Sequence, residues 1–265
     1  MTNEKYMNMI RNNPYVIDRI ENPSEEMQLL AVQMNGLALQ YIKHPSEAVQ
    51  KAAVANTARA IQFIDHPSED MLLQAVQSGW NNLSYIKNPS PELIDAALEQ
   101  SGWAIKYVKD PDEDLQLRAV EKNYDAIKYI QHPTPAVQLA AIRGNYEALR
   151  YIEKPTEEAK ELPISENEQA IRLIPDISKE EFLHFLSRNV LVSKYMPKGI
   201  SLTPDDWRNT FKAVLSRDDV PEDYVRNFIT CSAVDLTPAD KVLLVDDCGS
   251  KKARRITVDE KLTLK

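Results

Sequence analysis

The sequence predicts an all-α fold: an α-solenoid of short two-helix repeats with a helical cap at its C-terminal end. Three observations predict it. Seven prolines, Pro23, Pro45, Pro67, Pro89, Pro111, Pro133 and Pro155, stand 22 residues apart without a slip. A residue that caps helix N-termini follows each of them, and apolar residues recur at helical spacing inside every unit. A fixed period near this length marks a solenoid, in which no unit buries its apolar face until a neighbour stacks on it.

With the proline as position 1, position 2 reads Ser24, Ser46, Ser68, Ser90, Asp112, Thr134, Thr156 and Ser178. Each side chain accepts a bond from an otherwise orphaned helical N–H, so a first helix starts there every time. Pro91 and Pro135 at position 3 suit the first turn, where a missing N–H costs nothing. Acids such as Glu25, Glu26, Glu69, Asp70, Glu113 and Asp114 at positions 3 and 4 complement the positive end of the helix dipole. Positions 5, 9 and 10 form the buried stripe, as in Met27, Ala31 and Val32, and the small residue at position 9 lets helices approach closely.

Position 13 ends the first helix with Asn35, Asn123, Asn145, Asn167, Asn189 or Gly79, residues that tolerate a left-handed backbone, which is the conformation expected there. A second short helix follows, with Ala38, Leu39, Tyr41 and Ile42 or Ala126, Ile127, Tyr129 and Ile130. It stops because the residue before a proline is driven from the α region. Met9 to Asn22 reads as a half-formed first unit, and Asn189, Val192, Tyr195 and Met196 carry the register to the end, giving about nine units through Lys198. Pro175 and Pro197 sit one position early, so the last units depart from the pattern.

The motif Pro-Ser-Glu-Glu-x-Gln-x-x-Ala-Val-x-x-Asn-x-x-Ala-Ile-x-Tyr-Ile resembles a family of 22-residue α-helical repeats found in uncharacterised bacterial and bacteriophage proteins. It is distantly similar to HEAT and leucine-rich-variant solenoids. The resemblance covers residues 9 to 198 and implies an α-solenoid without implying an activity. A phage protein acting on a host protein is one role it suggests.

The organisation expected is therefore a helical-repeat solenoid over 1–198, a helical cap over 199–250, and a basic linker and tail over 251–265. Thr203-Pro204-Asp205-Asp206 and Thr237-Pro238-Ala239-Asp240 read as N-cap, first-turn proline and acid, which starts the longer helices of the cap. In the tail, Lys251, Lys252, Arg254 and Arg255 precede Ile256, Val258, Leu262 and Leu264, whose alternation suggests a terminal strand. A lone strand needs a partner edge, so the tail is a candidate for homo-oligomer formation.

Composition narrows the class. The chain has 265 residues, 43% hydrophobic and 27% charged, with a net charge of -8, enough apolar material for a core and a balance that argues against a wholly nucleic-acid-binding surface. No stretch approaches the roughly 18 apolar residues of a membrane span, and the first residues do not resemble a signal peptide, so a cytoplasmic location is expected, bacterial or in the host of a phage. Cys231 and Cys248 have no metal-binding or redox spacing.

No catalytic constellation, metal site or cofactor motif emerges. His44, His66 and His132 share position 22 with Asn22, Asn88 and Asp110, which marks a turn requirement, and His184 lies in the apolar run Phe182-Leu183-His184-Phe185-Leu186. The doublets Asp205-Asp206, Asp218-Asp219 and Asp246-Asp247 lack a further ligand cluster. One column stands out. Position 18 reads Gln40, Gln62 and Ser84, then Lys106, Lys128, Arg150, Arg172 and Lys194, with Tyr124 and Tyr146 one turn before two of the cations and Trp80 and Trp103 at its upper end.

A repeat surface without a deep pocket points to a non-enzymatic scaffold or adaptor that binds a protein, one with an acidic surface if this column is used. Sequence-nonspecific nucleic-acid binding through the column and the tail is the alternative. A helical-repeat, DNA glycosylase-like enzyme stacking a base on Trp80 or Trp103 is a third.

Overall fold

In a computed structural model, which describes the backbone of residues 3–263 and the side chains of 3–261, the described chain is helical and contains no strand. It divides into two compact units, Met1–Val137 and Gln138–Lys265.

The first unit alternates ten-residue α-helices with six-residue 3-10 helices: α1 (Asn3–Asn12), α2 (Glu25–Met34), α3 (Glu47–Asn56), α4 (Glu69–Ser78), α5 (Pro91–Gln100) and α6 (Glu113–Lys122). The 3-10 segments between and after them are Pro14–Arg19, Gly36–Tyr41, Ala58–Phe63, Trp80–Tyr85, Gly102–Tyr107 and Tyr124–Tyr129. Consecutive α-helices pack on one another, and consecutive 3-10 helices do the same. Position 9 supplies the closest contact: Ala31, Ala53, Ala75, Ala97 and Ala119 are wholly buried.

The second helix of each repeat is 3-10 because it must turn and end within six residues. In the Gly36–Tyr41 segment Ala38 N–H donates to Asn35 C=O at 2.9 Å and Ile42 N–H to Leu39 C=O at 3.0 Å, both three residues back. Asn35 serves both helices. Its N–H closes α2 on Ala31 C=O at 3.0 Å, and its side chain accepts the Leu37 N–H at 3.0 Å to open the next segment. That double duty corrects the expectation of a left-handed backbone at position 13. Asn35 is extended at φ -158°, as an N-cap requires, and so are Asn123 at -142° and Gly79 at 169°.

The left-handed residues stand instead at position 22, where Asn22, Asp110 and Asp176 have φ of 55°, 49° and 50°. Asn and Asp bear that conformation better than other non-glycine residues. There the chain leaves one repeat and swings into the next N-cap. Gly102 carries a different constraint: a Cβ there would lie 2.0 Å from the Ala119 carbonyl oxygen, so the backbone meets the next helix too closely at this repeat for a side chain.

Neutral polar side chains tie repeat to repeat. Gly102 N–H donates to Asn123 Oδ1 at 2.8 Å, Gly36 N–H to Asn56 Oδ1 at 2.8 Å, and Gln100 Nε2 to Val76 C=O at 2.8 Å. The position 2 hydroxyl reaches back as well: Ser46, Ser90 and Thr134 donate to Glu25, Glu69 and Glu113 at 2.5, 2.8 and 2.5 Å. The position 3 acid therefore joins adjacent repeats in addition to meeting a helix dipole.

α7 (Pro135–Gly144) ends after the boundary between the units. The second unit continues the repeat pairing through α8 (Glu157–Glu166) and α9 (Lys179–Arg188), with 3-10 segments Tyr146–Tyr151, Glu168–Leu173 and Val190–Tyr195. Four α-helices without 3-10 partners follow: α10 (Pro204–Leu215), α11 (Glu222–Thr230), α12 (Pro238–Cys248) and α13 (Lys251–Thr263). Phe182, Phe185, Phe211 and Phe228 fill this unit's core, with Phe211 and Phe228 centroids 4.6 Å apart. No described helix is long and apolar enough to cross a membrane.

The tail differs from the sequence expectation. Lys251–Thr263 is a helix, neither a linker nor a strand. Ser250 caps it by accepting the Ala253 N–H at 3.2 Å, and Ala253, Ile256 and Thr257 are buried against α11 and α12. Strand alternation would put Ile256 and Val258 on one face; in the helix Ile256 is 2% exposed and Val258 58%. Residue Leu264 and the Leu262 side chain lie outside the described residues. With its apolar side packed inside its own unit, the tail no longer requires a partner edge.

Candidate functional site

The 3-10 segments of the first unit present one aromatic residue per repeat at position 19: Tyr41, Phe63, Tyr85, Tyr107 and Tyr129. Position 19 follows directly on the cationic position 18, and the last turn of the segment leaves the ring at the surface. Tyr41, Phe63, Trp103 and Tyr129 are 40%, 36%, 37% and 37% exposed, which is high for rings that elsewhere in the chain form the core.

Toward its C-terminal end the surface is densely built. Trp80 stands with its centroid 6.2 Å from both Trp103 and Tyr107, edge-on to the first at 67° and tilted to the second. Lys106 Nζ lies over Tyr107 at 5.4 Å and over Tyr129 at 5.7 Å. Lys128 Nζ lies over Trp103 at 5.3 Å and Tyr129 at 5.1 Å. Asp125 fastens the set. Its Oδ1 accepts the Trp103 indole N–H at 2.7 Å and its Oδ2 the Lys128 ammonium at 2.9 Å. Burial pushes the Asp125 carboxyl up, but the indole N–H and the ammonium outweigh it and hold the group below its usual range.

Beside Lys106 and Tyr129 a groove of about 430 Å³ runs between two repeats, lined also by Asp110, Gln116 and His132. Gln116 Nε2 donates to the Pro111 carbonyl at 2.8 Å, while its buried Oε1 has no hydrogen-bond partner. The exposed rings and Lys106 are free to meet a ligand, whereas Asp125 and Lys128 are engaged in holding the rings.

The candidate column of five cations divides between the units, two in the first and three in the second. In the second, Arg150 pairs with Glu147 at 3.6 Å, Lys194 with Glu168 at 3.7 Å, and Arg172 lies over Tyr195 at 5.9 Å. Acids of the same 3-10 segments thus answer Lys128 and Arg150, and a neighbouring segment's acid answers Lys194. Trp80 and Trp103 belong to the aromatic set, whereas Tyr124 and Tyr146 stand half-buried outside it. Tyr107, Tyr129 and Asp125 belong to it without having been singled out from the sequence. Their signal was available in the unbroken aromatic period at position 19, masked because an aromatic beside Ile42 or Ile130 reads as core.

Lys251, Arg254 and Arg255 are exposed on α13 and Lys252 half-buried, spread around a helix rather than along a linker. His44, His66 and His132 are exposed in their turns, and among the described residues no group of three His, Cys, Asp or Glu could hold a metal ion. His184 is half-buried and hydrogen-bonded to Glu161, which also pairs with Arg188 at 3.3 Å. No family model, curated protein or solved structure matches the chain.

Proposed function

We propose that the protein is a non-enzymatic binding module whose 3-10 face in the first unit, centred on Trp80, Trp103, Tyr107 and Tyr129, docks a protein segment. The observation that carries this reading is the investment of Asp125 and Lys128 in holding exposed rings: aromatic side chains clamped in fixed positions at a surface are what protein interfaces use as anchors. Clamping lowers the entropy lost when a partner is captured.

Charge favours a protein over a nucleic acid. The first unit carries twelve Lys and Arg against eighteen Asp and Glu, and Lys128 on this face is answered by Asp125. A phosphate backbone draws its affinity from cations free to displace counterions, and would meet net repulsion here.

Selection from a random peptide display library against the whole protein, counter-selected on Trp103→Ala with Tyr129→Ala, tests the reading. Enrichment of sequences that bind the native chain and ignore the double variant is the expected result. Failure to enrich any such sequence, with the variant's helicity intact, removes the docking surface.

A further inference from the structure

We infer that the segment docked on this face is proline-rich and extended, a polyproline II helix whose every third residue meets one ring of the position 19 row, with a carboxylate placed against Lys106. This inference rests on the docking reading and adds the chemistry of the occupant.

Spacing is the first argument. Packed helices stand about 8–10 Å apart, and the rings repeat once per helix pair. Lys106 Nζ lies 5.4 Å from the Tyr107 centroid and 5.7 Å from that of Tyr129, which limits the distance between these successive rings to about 11 Å. A polyproline II helix rises about 3.1 Å per residue and turns every three, so its equivalent residues recur at about 9.3 Å. One face of such a ligand keeps pace with the row. An α-helix brings one face round about every 5.4 Å, or about 10.8 Å over two turns, and a strand about every 6.7 Å, so neither falls within the roughly 8–10 Å of stacked repeats as the polyproline II helix does.

The second argument is surface chemistry. Pyrrolidine rings pack flat on Tyr and Trp, and aromatic-lined grooves are the general way such ligands are held, because the ligand is already extended and loses little entropy. The five-ring row from Tyr41 to Tyr129 is built of Tyr and Phe alone, and Trp80 and Trp103 widen it where it is most densely packed. A polyproline II backbone bonds to nothing internally and leaves its polar groups for the host.

Charge is the third. Lys106 lies over the Tyr107 and Tyr129 rings and pairs with no carboxylate among the described residues, unlike Lys128 beside it. An acid between prolines supplies its missing partner.

Fluorescence anisotropy with labelled synthetic peptides tests this on the full chain. The probes are four Ala-Pro-Pro triplets with one central Ala replaced by Glu, the same peptide with Gly for each Pro, a peptide of alternating Ala and Pro carrying one Glu, and an oligouridylate of matching length. The triplet proline peptide is expected to bind at least tenfold tighter than each of the other three. Tyr129→Ala should weaken it at least tenfold, Tyr129→Phe should restore it because Phe63 already fills this position, and Lys106→Ala should weaken it severalfold. Equal binding of the glycine or alternating peptide overturns the register argument. Tight, salt-sensitive binding of the oligouridylate overturns the choice of a peptide. If none of the proline peptides binds while display-selected sequences do, the occupant is wrong and the docking surface stands; if neither binds, both readings fall.

Discussion

The two units are built from the same helix pair yet hold themselves together differently. Within Met1–Val137 the ties between repeats are mostly neutral, Asn and Gln side chains on backbone groups, over a core of Ala, Val, Ile, Leu and Met. Within Gln138–Lys265 ion pairs join neutral bonds as ties between helices. Lys160 meets Glu181 at 2.7 Å, Lys179 meets Asp206 at 2.7 Å and Arg226 meets Glu260 at 2.5 Å, and four wholly buried phenylalanines join the aliphatic core. A repeat can afford only side chains that fit beside identical copies of themselves, and a small residue at position 9 is the condition for stacking. A unit that ends a repeat series has no such restriction. Larger rings and charged pairs can be used there because each needs to fit once.

The largest effect expected from this contrast is at Phe211, wholly buried between Trp207 at 5.7 Å and Phe228 at 4.6 Å. Phe211→Ala should cost about 3–5 kcal/mol, since its two aromatic neighbours cannot close the space one ring leaves. Urea titration followed by circular dichroism measures it. A cost below about 1 kcal/mol would mean that this core collapses as readily as a repeat interface and the distinction fails.

Gly102→Ala should come next, at about 1–3 kcal/mol, because the added methyl group meets the Ala119 carbonyl rather than a side chain that can swing away. Each repeat touches only its neighbours, so the damage should stay local. Hydrogen exchange is expected to lose protection in Gly102–Tyr107 and Glu113–Lys122 while Glu25–Met34 keeps it. Ser84→Ala, at an exposed site, should stay within about 0.5 kcal/mol. Uniform loss of protection through the unit would show that its repeats are coupled beyond nearest neighbours.

The same contrast explains what could be read from the sequence. Repeats announce themselves, so the helix starts at Ser24 to Ser178, the buried alanines and the second helices were legible from spacing alone. What spacing does not carry is backbone geometry. Asn at position 13 fits a left-handed C-cap as well as an extended double cap, and only the short second helix decides between them. The tail failed for a related reason. Ile256 and Val258 alternate, but a period of two over so few residues is also compatible with a helix, and the apolar surface of α11 and α12 decided it. At the site, Trp80 and Trp103 stood out by being absent from other repeats, and Lys106 and Lys128 by replacing the neutral residues of the earlier ones. Tyr107 and Tyr129 were hidden by being present in nearly all of them.

The smallest effect, and the one that separates charge from capping, is at Asp206. The Lys179 ammonium, the Thr203 backbone N–H and the Thr203 hydroxyl all favour its ionised form and lower its pKa from the ordinary 3.8 to about 2. Because the folded value is the lower one, the stabilisation is present above the unfolded pKa and disappears as pH falls through the folded one. Asp206→Asn should therefore destabilise the chain slightly at pH 7, and most of that difference should be gone at pH 2. Glu47→Gln, which breaks a fully surface pair with Lys51 in the first unit, should show a weaker version of the same trend, since such pairs are screened by solvent. Urea titrations of the three proteins at both pH values check this. Asparagine can still accept and donate within the cap, so a difference that persists unchanged at pH 2 would assign the role of Asp206 to capping geometry. A difference largely lost at pH 2 assigns it to the charge that joins α9 to α10, and supports ionic ties as what sets the second unit apart.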